Sequence, residues 1–299
     1  MEGNMKSKLT TLEDAVKRVP SGSSIALGGS ILRRQPMAFV REMIRQGKKD
    51  LTIFGYPCGL ATDMLSGVGA VKRVEAVYTG LFQFGMSYNF RRAVENGELE
   101  IRDYPEVAQA ARYQAAAMNI DFIATKDLLG TGMAKYNPED IVEMVSPFTG
   151  EKYHAVKAAK TDFTVLHEYV ADEYGNVQWP DHWDADDLDM LMAKASRRLI
   201  VTVEKIVPHN QITSQPNRTM IPHSWVEAVV EVPFGAHPAP CDAFYDEDDA
   251  HMEIYQKLAK EPGRWRKEYA EKYIYGPKDH WEYLDVAMTP SQMARLIVR

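Results

Sequence analysis

Cysteine is nearly absent from this chain: Cys58 and Cys241 are the only two in 299 residues, and neither sits in a C-x-x-C pair. That excludes a disulfide-stapled scaffold and the paired-thiol zinc and redox motifs, and it fits free thiols in a reducing cytoplasm. Basic residues are in deficit, 35 Lys and Arg against 42 Asp and Glu, giving a formal net charge of −7 with no basic block. Nucleic acid and anionic membrane are therefore not expected partners. No uninterrupted apolar run reaches the roughly 18 residues of a membrane-spanning helix. The start, MEGNMKSKLTTLEDAVKRV, has no apolar core of the signal-peptide kind. What is present, 45% apolar and 26% charged residues, is the composition of a globular protein with a large core.

Strands alternate with helices along the chain. Residues 11–19 predict a short helix capped by Thr10 or Thr11, with Glu13 and Asp14 in its first turn. SSIALGG reads as a short buried strand ended by glycines. PMAFVREMIRQG reads as a helix with Pro36 near its first position, an apolar stripe of Phe39, Val40, Met43 and Ile44, and Gly47 past its end. The alternation continues through DLTIFGYPCG, VKRVEAVYTG, the helix SYNFRRAVENG, the strand LEIRDY and the helix VAQAARYQAAAMNI. A strand spans residues 163–168, a helix and strand lie in DLDMLMAKASRRLIVTVEKIV, and WVEAVVEVPFGAH adds another strand. The tail is helical with a break at Pro262-Gly263. Such βαβ succession predicts an α/β fold: an open, mostly parallel sheet with helices on both faces. No repeat or linker divides it, so residues 1–299 are expected to form a single domain.

Functional sites in such sheets lie beyond the strand C-termini, which draws attention to Gly28-Gly29. A dinucleotide turn needs G-x-G-x-x-G and a phosphate loop needs G-x-x-x-x-G-K-[ST]; GGSILRR satisfies neither. Two readings remain. The glycines turn the chain from strand to helix, or they let the backbone approach an anionic ligand near Arg33, Arg34 and the following helix N-terminus.

At these residues the sequence resembles the class I CoA-transferases, and within them the A subunits of glutaconate CoA-transferase. The likeness is carried by GGSILRRQPMAFV, YTG, NFRRAVENGELEIRDYPE, QAAAMNIDF, IVTVEKIVP, EAVVEVPFGAHPAPCDAFYD and DHWEYL, in order and nearly end to end. The resemblance implies the same open α/β fold and an acyl-CoA thioester substrate with no permanently bound cofactor. It implies that the partner is a similar B subunit, with an α2β2 assembly expected here and a site between the two chains. The nucleophile is implied to be a Glu of the B subunit. Gly28, Gly29, Arg34 and Pro36 match the family's loop, with Ser30 to Arg33 in its variable part. Ser30 and the strand end Gly80, Phe82 and Gln83 are expected to line the acyl pocket, with Phe82 and Phe84 more apolar than a dicarboxylate suits.

Two carboxylates compete for chemistry. Glu95 in VENG mimics a Glu-x-Gly nucleophile, but a helix end with Gly97 past its C-cap explains it. Glu106 follows a strand end after Pro105, where it is expected to face a water-excluded acyl pocket. Ordinary A subunits look to carry Gln near here, whereas CoA-thioester hydrolases that open steroid rings carry Glu. Glu106 is thus the candidate acid/base, its rival role being a helix N-terminal acid. That keeps hydrolysis or lyase chemistry on the same scaffold as an alternative, beside a non-catalytic binding protein. His237 is a weaker acid/base candidate and Cys58 reads as a buried thiol. Asp184, Asp186, Asp187 and Asp189 resemble metal-ligand spacing. They lack the Gly and terminal Glu of a calcium loop, so helix N-terminal placement accounts for them and no metal is expected.

Overall fold

The computed structural model describes residues 5–181 and 188–298. In chain order, α1 (Leu12–Lys17), β1 (Ser24–Leu27), α2 (Met37–Arg45), β2 (Leu51–Phe54), β3 (Pro57–Cys58), α3 (Leu60–Gly67), β4 (Val71–Ala76), β5 (Tyr78–Thr79), α4 (Tyr88–Glu95) and β6 (Glu100–Asp103) come first. Then follow α5 (Glu106–Ala117), β7 (Phe122–Thr125), α6 (Met133–Tyr136), β8 (Ile141–Val145), β9 (Lys152–Lys157), β10 (Phe163–Ala171), β11 (Val177–Gln178) and α7 (Leu188–Ala195). The last third holds β12 (Leu199–Ile206), α8 (His209–Ser214), β13 (Thr219–Ile221), β14 (Val226–Glu231), α9 (Asp249–Ala259), a π-helix (Trp265–Tyr275), α10 (His280–Ala287) and α11 (Pro290–Leu296).

The main sheet runs β14-β12-β10-β1-β2-β4-β6 with every neighbour parallel, and β11 and β13 extend β10 in antiparallel fashion. Its central strands, SIAL, LTIF, FTVLHEYVA and LIVTVEKI, are apolar and nearly continuously buried. Such strands are stable only with both faces covered. The helices α1 to α4, α9, the π-helix and α10 form one layer; α5 and α7 pack together in the other. The helix α2 lies between sheet and C-terminal layer, so even Arg41 is buried. Its guanidinium stacks 3.5 Å over the Tyr283 ring and donates to the His237 carbonyl at 2.8 Å. None of the described helices is long and apolar enough to cross a membrane.

Residues 122–157 hold something the strand-helix alternation does not anticipate. Here β7, β9 and β8 form a separate antiparallel sheet in that order. It has its own small core of Tyr104, Ala108, Leu128, Ile141 and Val156. Arg112 on α5 anchors it. That buried side chain pairs with Glu75 of β4 at 2.8 Å, stacks 4.0 Å over the Tyr104 ring and donates to the Lys157 carbonyl at 3.0 Å.

Removing one partner of such a buried pair typically costs about 3–5 kcal/mol. Arg112→Ala is therefore expected to lower stability by that amount. Amide exchange should accelerate in β9 more than in β1; equal acceleration in both would show that Arg112 does not tie the small sheet to the large one.

Candidate functional site

The strand β1 ends at Leu27, and the glycine pair then turns the chain against α7. A Cβ on Gly28 would stand 2.3 Å from Leu166 Cδ2 and 2.8 Å from Asp189 Oδ1. One on Gly29, whose φ is +79°, would stand 2.3 Å from the Arg33 carbonyl oxygen. Both positions therefore demand glycine, and what approaches closely is the protein itself. Gly29 donates its N–H to Asp189 Oδ1 at 2.8 Å. The N–H groups of Gly28, Ser30 and Ile31 go to the carbonyls of Val165, Arg33 and Pro57. Four successive amides are thus held internally, and the turn offers a fixed shape rather than backbone donors.

Arg34 holds that shape from inside. Its side chain is 1% exposed, with Nη1 2.6 Å from Asp189 Oδ2 and 3.4 Å from Glu168 Oε2, and Nε 3.5 Å from Asp242 Oδ1. Burial opposes the guanidinium charge, but the acidic groups around it, Asp189 foremost, more than offset it and raise the pKa above its ordinary value. Burial acts the other way on Glu168: it pushes that carboxyl up to about 8 despite Arg34, so Glu168 is largely protonated at neutral pH. Tyr169 donates its hydroxyl to Asp242 Oδ2 at 2.7 Å and lies with its ring 5.1 Å from the Arg34 guanidinium carbon.

Between the glycines and Arg34, Ser30 to Arg33 form a tight hairpin closed by Ser30 N to Arg33 O at 3.0 Å and Arg33 N to Ser30 O at 2.8 Å. Ile31 at its tip has φ +55° and Arg34 has φ +51°. A β-branched residue in that region is a strained outlier of the kind that gathers at ligand sites. The opposite wall is the turn after β5, where Phe82 has φ +48° and is 60% exposed. A third wall comes from the segment after the last sheet strand. Together Ser30, Ile31, Leu32, Arg33, Phe82, Gln83, Pro240, Asp242, Asp246, Glu247 and Asp249 line a cleft of about 610 Å3. Gln83 donates to Glu247 Oε1 at 2.7 Å across it. Burial and Asp249 push the Glu247 carboxyl up.

The sequence-derived candidates thus separate. Ser30, Phe82 and Gln83 meet in the cleft, while Gly28, Gly29 and Arg34 are the buried frame behind it. Gly80 is buried next to the 82–83 turn and Phe84 is half-buried there. Glu95 is an exposed helix-end residue paired with Arg91 at 2.7 Å. Glu106 is the first residue of α5, exposed at the carboxyl edge of the sheet. Three strand spacings separate its strand β6 from β1, roughly 14 Å at ~4.8 Å per strand. The expectation that Glu106 faces a water-excluded pocket requires a cover that this chain by itself does not supply, since the residue is exposed here.

His237 is buried away from the cleft, with Nδ1 2.7 Å from Tyr283 Oη and Nε2 3.1 Å from Asp248 Oδ2. Burial pulls its pKa down, and its two ring nitrogens are both engaged by Tyr283 and Asp248. Cys58 is buried beside Thr79, and burial pushes its thiol up. Asp184, Asp186 and Asp187 lie outside the described residues. Asp189 does start a helix, but its side chain turns inward to the loop.

Two buried clusters have metal-like composition: His167, Glu204 and Cys241, and His237, Asp248 and His251. The Glu204 carboxylate already accepts from Tyr245 and the Phe234 and Gly235 amides and lies 2.6 Å from His167 Nε2. Asp248 is taken up by His237 and the His251 amide. Both are hydrogen-bond networks that brace the chain around residues 234–251. What the sequence reading missed is the acidic wall, Asp242 to Asp249; the signal was the run DAFYDEDD, which follows the last sheet strand after the intervening VPFGAHPAPC.

The carboxyl edge of an open parallel sheet is where α/β proteins of this architecture place their ligand clefts. Comparison with known proteins narrows this. The family model for coenzyme A transferase matches residues 9–232, and the chain belongs to that family. It is 38% identical over 296 residues to an uncharacterized protein of Archaeoglobus fulgidus, covering 98% of this chain but only 65% of that one. It is 34% identical to the glutaconate CoA-transferase A subunit of Acidaminococcus fermentans, over 93% of this chain and 91% of that protein. The crystal structure of glutaconate coenzyme A-transferase from the same organism superposes with a TM-score of 0.92 at 32% identity, covering 98% of this chain and 96% of that one.

Asp189→Ala strands Arg34 in the interior and is expected to cost about 3–5 kcal/mol by chemical denaturation. A loss below about 1 kcal/mol would mean that the pair does not hold the loop.

Glu168 gives a pH signature. Between its ordinary range and about 8, the folded protein keeps a proton that the unfolded chain has released, so stability falls as pH rises through that window. Glu168→Gln has no such proton. Its melting temperature relative to wild type should climb between about pH 5 and about pH 8; a constant difference would show that Glu168 titrates normally.

Proposed function

We propose that this chain is the A-type member of a two-chain, glutaconate-type acyl-CoA:carboxylate CoA-transferase acting in the cytoplasm, paired with a B-type companion as α2β2. The observation that carries the reading is the convergence of Ser30, Phe82 and Gln83 on one cleft beside the glycine turn. The substrates are a CoA thioester and a carboxylate, with no permanently bound cofactor. The companion's glutamate attacks the thioester carbonyl; the C–S bond breaks, CoA thiolate leaves and an acyl-glutamyl anhydride forms. The thiolate then attacks the glutamyl carbonyl, releasing the acyl carboxylate and leaving a glutamyl-CoA thioester. The acceptor carboxylate runs the same two steps in reverse.

The residues here supply position. Ile31, Leu32 and Phe82 offer an apolar wall to the acyl group. The Ser30 hydroxyl and Gln83 amide provide polar groups, and Gly28, Gly29 and Arg34 keep the wall rigid so that little reorganisation accompanies binding. Incubation with acyl-CoA followed by borohydride is expected to trap the thioester on the companion chain, and the isolated chain should show no transferase turnover. Label on Glu95 or Glu106 would overturn the assignment, as would full turnover by this chain alone.

Glu106 favours a second reading, thioester hydrolysis or a lyase reaction on the same scaffold. Its support is an exposed carboxylate on the same sheet edge as the cleft, at a place where a companion chain brings it to substrate. Glu106→Gln keeps size and hydrogen bonding but removes proton transfer, which typically contributes ~10²–10⁴-fold. A transferase is expected to lose less than about tenfold in turnover, a hydrolase about a hundredfold with KM little changed. Oxygen-18 from water in the released acid would confirm hydrolysis.

A further inference from the structure

The small β7-β9-β8 sheet is packed by this chain on one face only, where Ile141 and Val156 share the side with Thr125, His154 and Glu143, and it is the other face that is apolar. Register fixes the sides: Ile141 pairs with Val156, and both are buried against Tyr104, Ala108 and Leu128. The alternate residues form the outer side. Ala124 pairs with Ala155 and Ala155 with Val142, while Tyr153 pairs with Met144 and Phe122 lies two residues before Ala124. These six outer residues carry no charge; Val142 is 57% and Phe122 47% exposed. Charge enters only at the margin, where Lys157 pairs with Phe122 and Lys126 sits 4.9 Å over the Tyr153 ring. An antiparallel sheet with one face in water normally alternates apolar with polar residues, so this one is built to be covered. The surrounding surface agrees: ten of the 21 exposed large hydrophobic side chains among the described residues fall within residues 101–148.

We infer that the outer face of this sheet docks the B-type companion chain, extending the contact that closes the cleft. The inference rests on the two-chain reading of the function. Two observations select this occupant over a second copy of the chain. The first is area. Three strands ~4.8 Å apart and about five residues long at ~3.4 Å each give roughly 250 Å2, against ~800 Å2 per partner in a stable interface. The face is too small to hold a symmetric dimer by itself and must belong to a larger surface. The second is continuity. The small sheet hangs from the same carboxyl edge that carries the cleft: Asn137 donates to the Asp103 carbonyl at the end of β6 at 2.9 Å, and Tyr104, next in the chain, donates its hydroxyl to Asp140 at 3.0 Å. Exposed apolar side chains mark that edge, with Tyr78 and Phe82 beside the cleft and Val107 on the first turn of α5. One partner lying along the edge covers all of them.

The test co-expresses this chain with its tagged B-type companion and compares the wild type with the double variant Phe122→Lys/Val142→Lys. Both side chains are exposed, so the variant should fold; its melting curve alone checks this. Companion binding is expected to weaken at least tenfold, while Val286→Lys, an equally exposed apolar site on α10, leaves it unchanged. Undiminished companion binding by the double variant would overturn the inference. So would loss of self-association with companion binding intact, because the face would then belong to a second copy. A wild-type chain that binds no companion would instead remove the two-chain reading and this inference with it. Should the variant misfold, amide exchange of wild type answers the question: adding companion should protect β7 and β8, and unaltered exchange there would overturn the assignment.

Discussion

A single guanidinium organises the candidate site. Arg34 has no exposed surface to speak of, yet it touches elements from three distant parts of the chain: Asp189 on α7, Glu168 on β10 and Asp242 after the last strand. An unpaired charge at such a position would destabilise the fold by several kcal/mol, so the ion pair with Asp189 is obligatory once the arginine is buried. The same Asp189 carboxylate takes the Gly29 amide. The glycine turn and the strained Ser30 to Arg33 hairpin therefore depend on one salt bridge. Glu168 fits this balance by staying protonated: a second full negative charge this close to Asp189 and Asp242 would not be compensated by one arginine.

The buried histidines have a comparable but separate duty. His237, His251, Tyr269, Tyr283 and Asp248 are linked by hydrogen bonds between the loop after β14 and the C-terminal helices. Burial pushes His251 down to about 3 and pulls His237 down as well. The network fixes the 234–251 segment, which in turn carries the acidic wall of the cleft. Chemistry-bearing residue types are thus used here as framework, and the cleft itself is lined by less conspicuous ones.

Local periodicity made the central sheet legible. SIAL, LTIF and FTVLHEYVA are short apolar runs bounded by turn residues, and α2 is announced by Pro36, its apolar stripe and Gly47. The glycine pair was legible as a feature; Ser30 follows from its place at that strand end, and Phe82 and Gln83 from the separate strand end at Gly80. Asp189 was legible only as a helix N-terminal acid. Its true partner lies 155 residues away in sequence, and no local pattern encodes a pairing of that span. The β7-β9-β8 sheet escaped for another reason: its strands are short, and polar residues such as Glu143 and His154 lie on the core side while the outer side carries Phe122, Val142 and Met144, the reverse of the alternation that identifies a half-exposed strand. The feature that hid these strands is the one that marks their outer face as an interface.

The closed hydrogen bonding of the glycine turn bears on the chemistry. Thioester attack places negative charge on the carbonyl oxygen, and sites for such reactions usually meet it with preorganised N–H donors. In this chain the amides of residues 28 to 31 are committed to Val165, Asp189, Arg33 and Pro57, and releasing one would break the turn or the Asp189 contact. On the proposed transferase reading these four amides are not the oxyanion donors, and the Ser30 hydroxyl and the Gln83 amide are polar side-chain groups that this chain places at the cleft. Gln83 is already oriented by Glu247 at 2.7 Å, and the amide keeps a second N–H for another acceptor. The charged residues Arg33, Asp246, Glu247 and Asp249 line the cleft itself, while the Arg34–Asp189 pair that holds the glycine turn is buried.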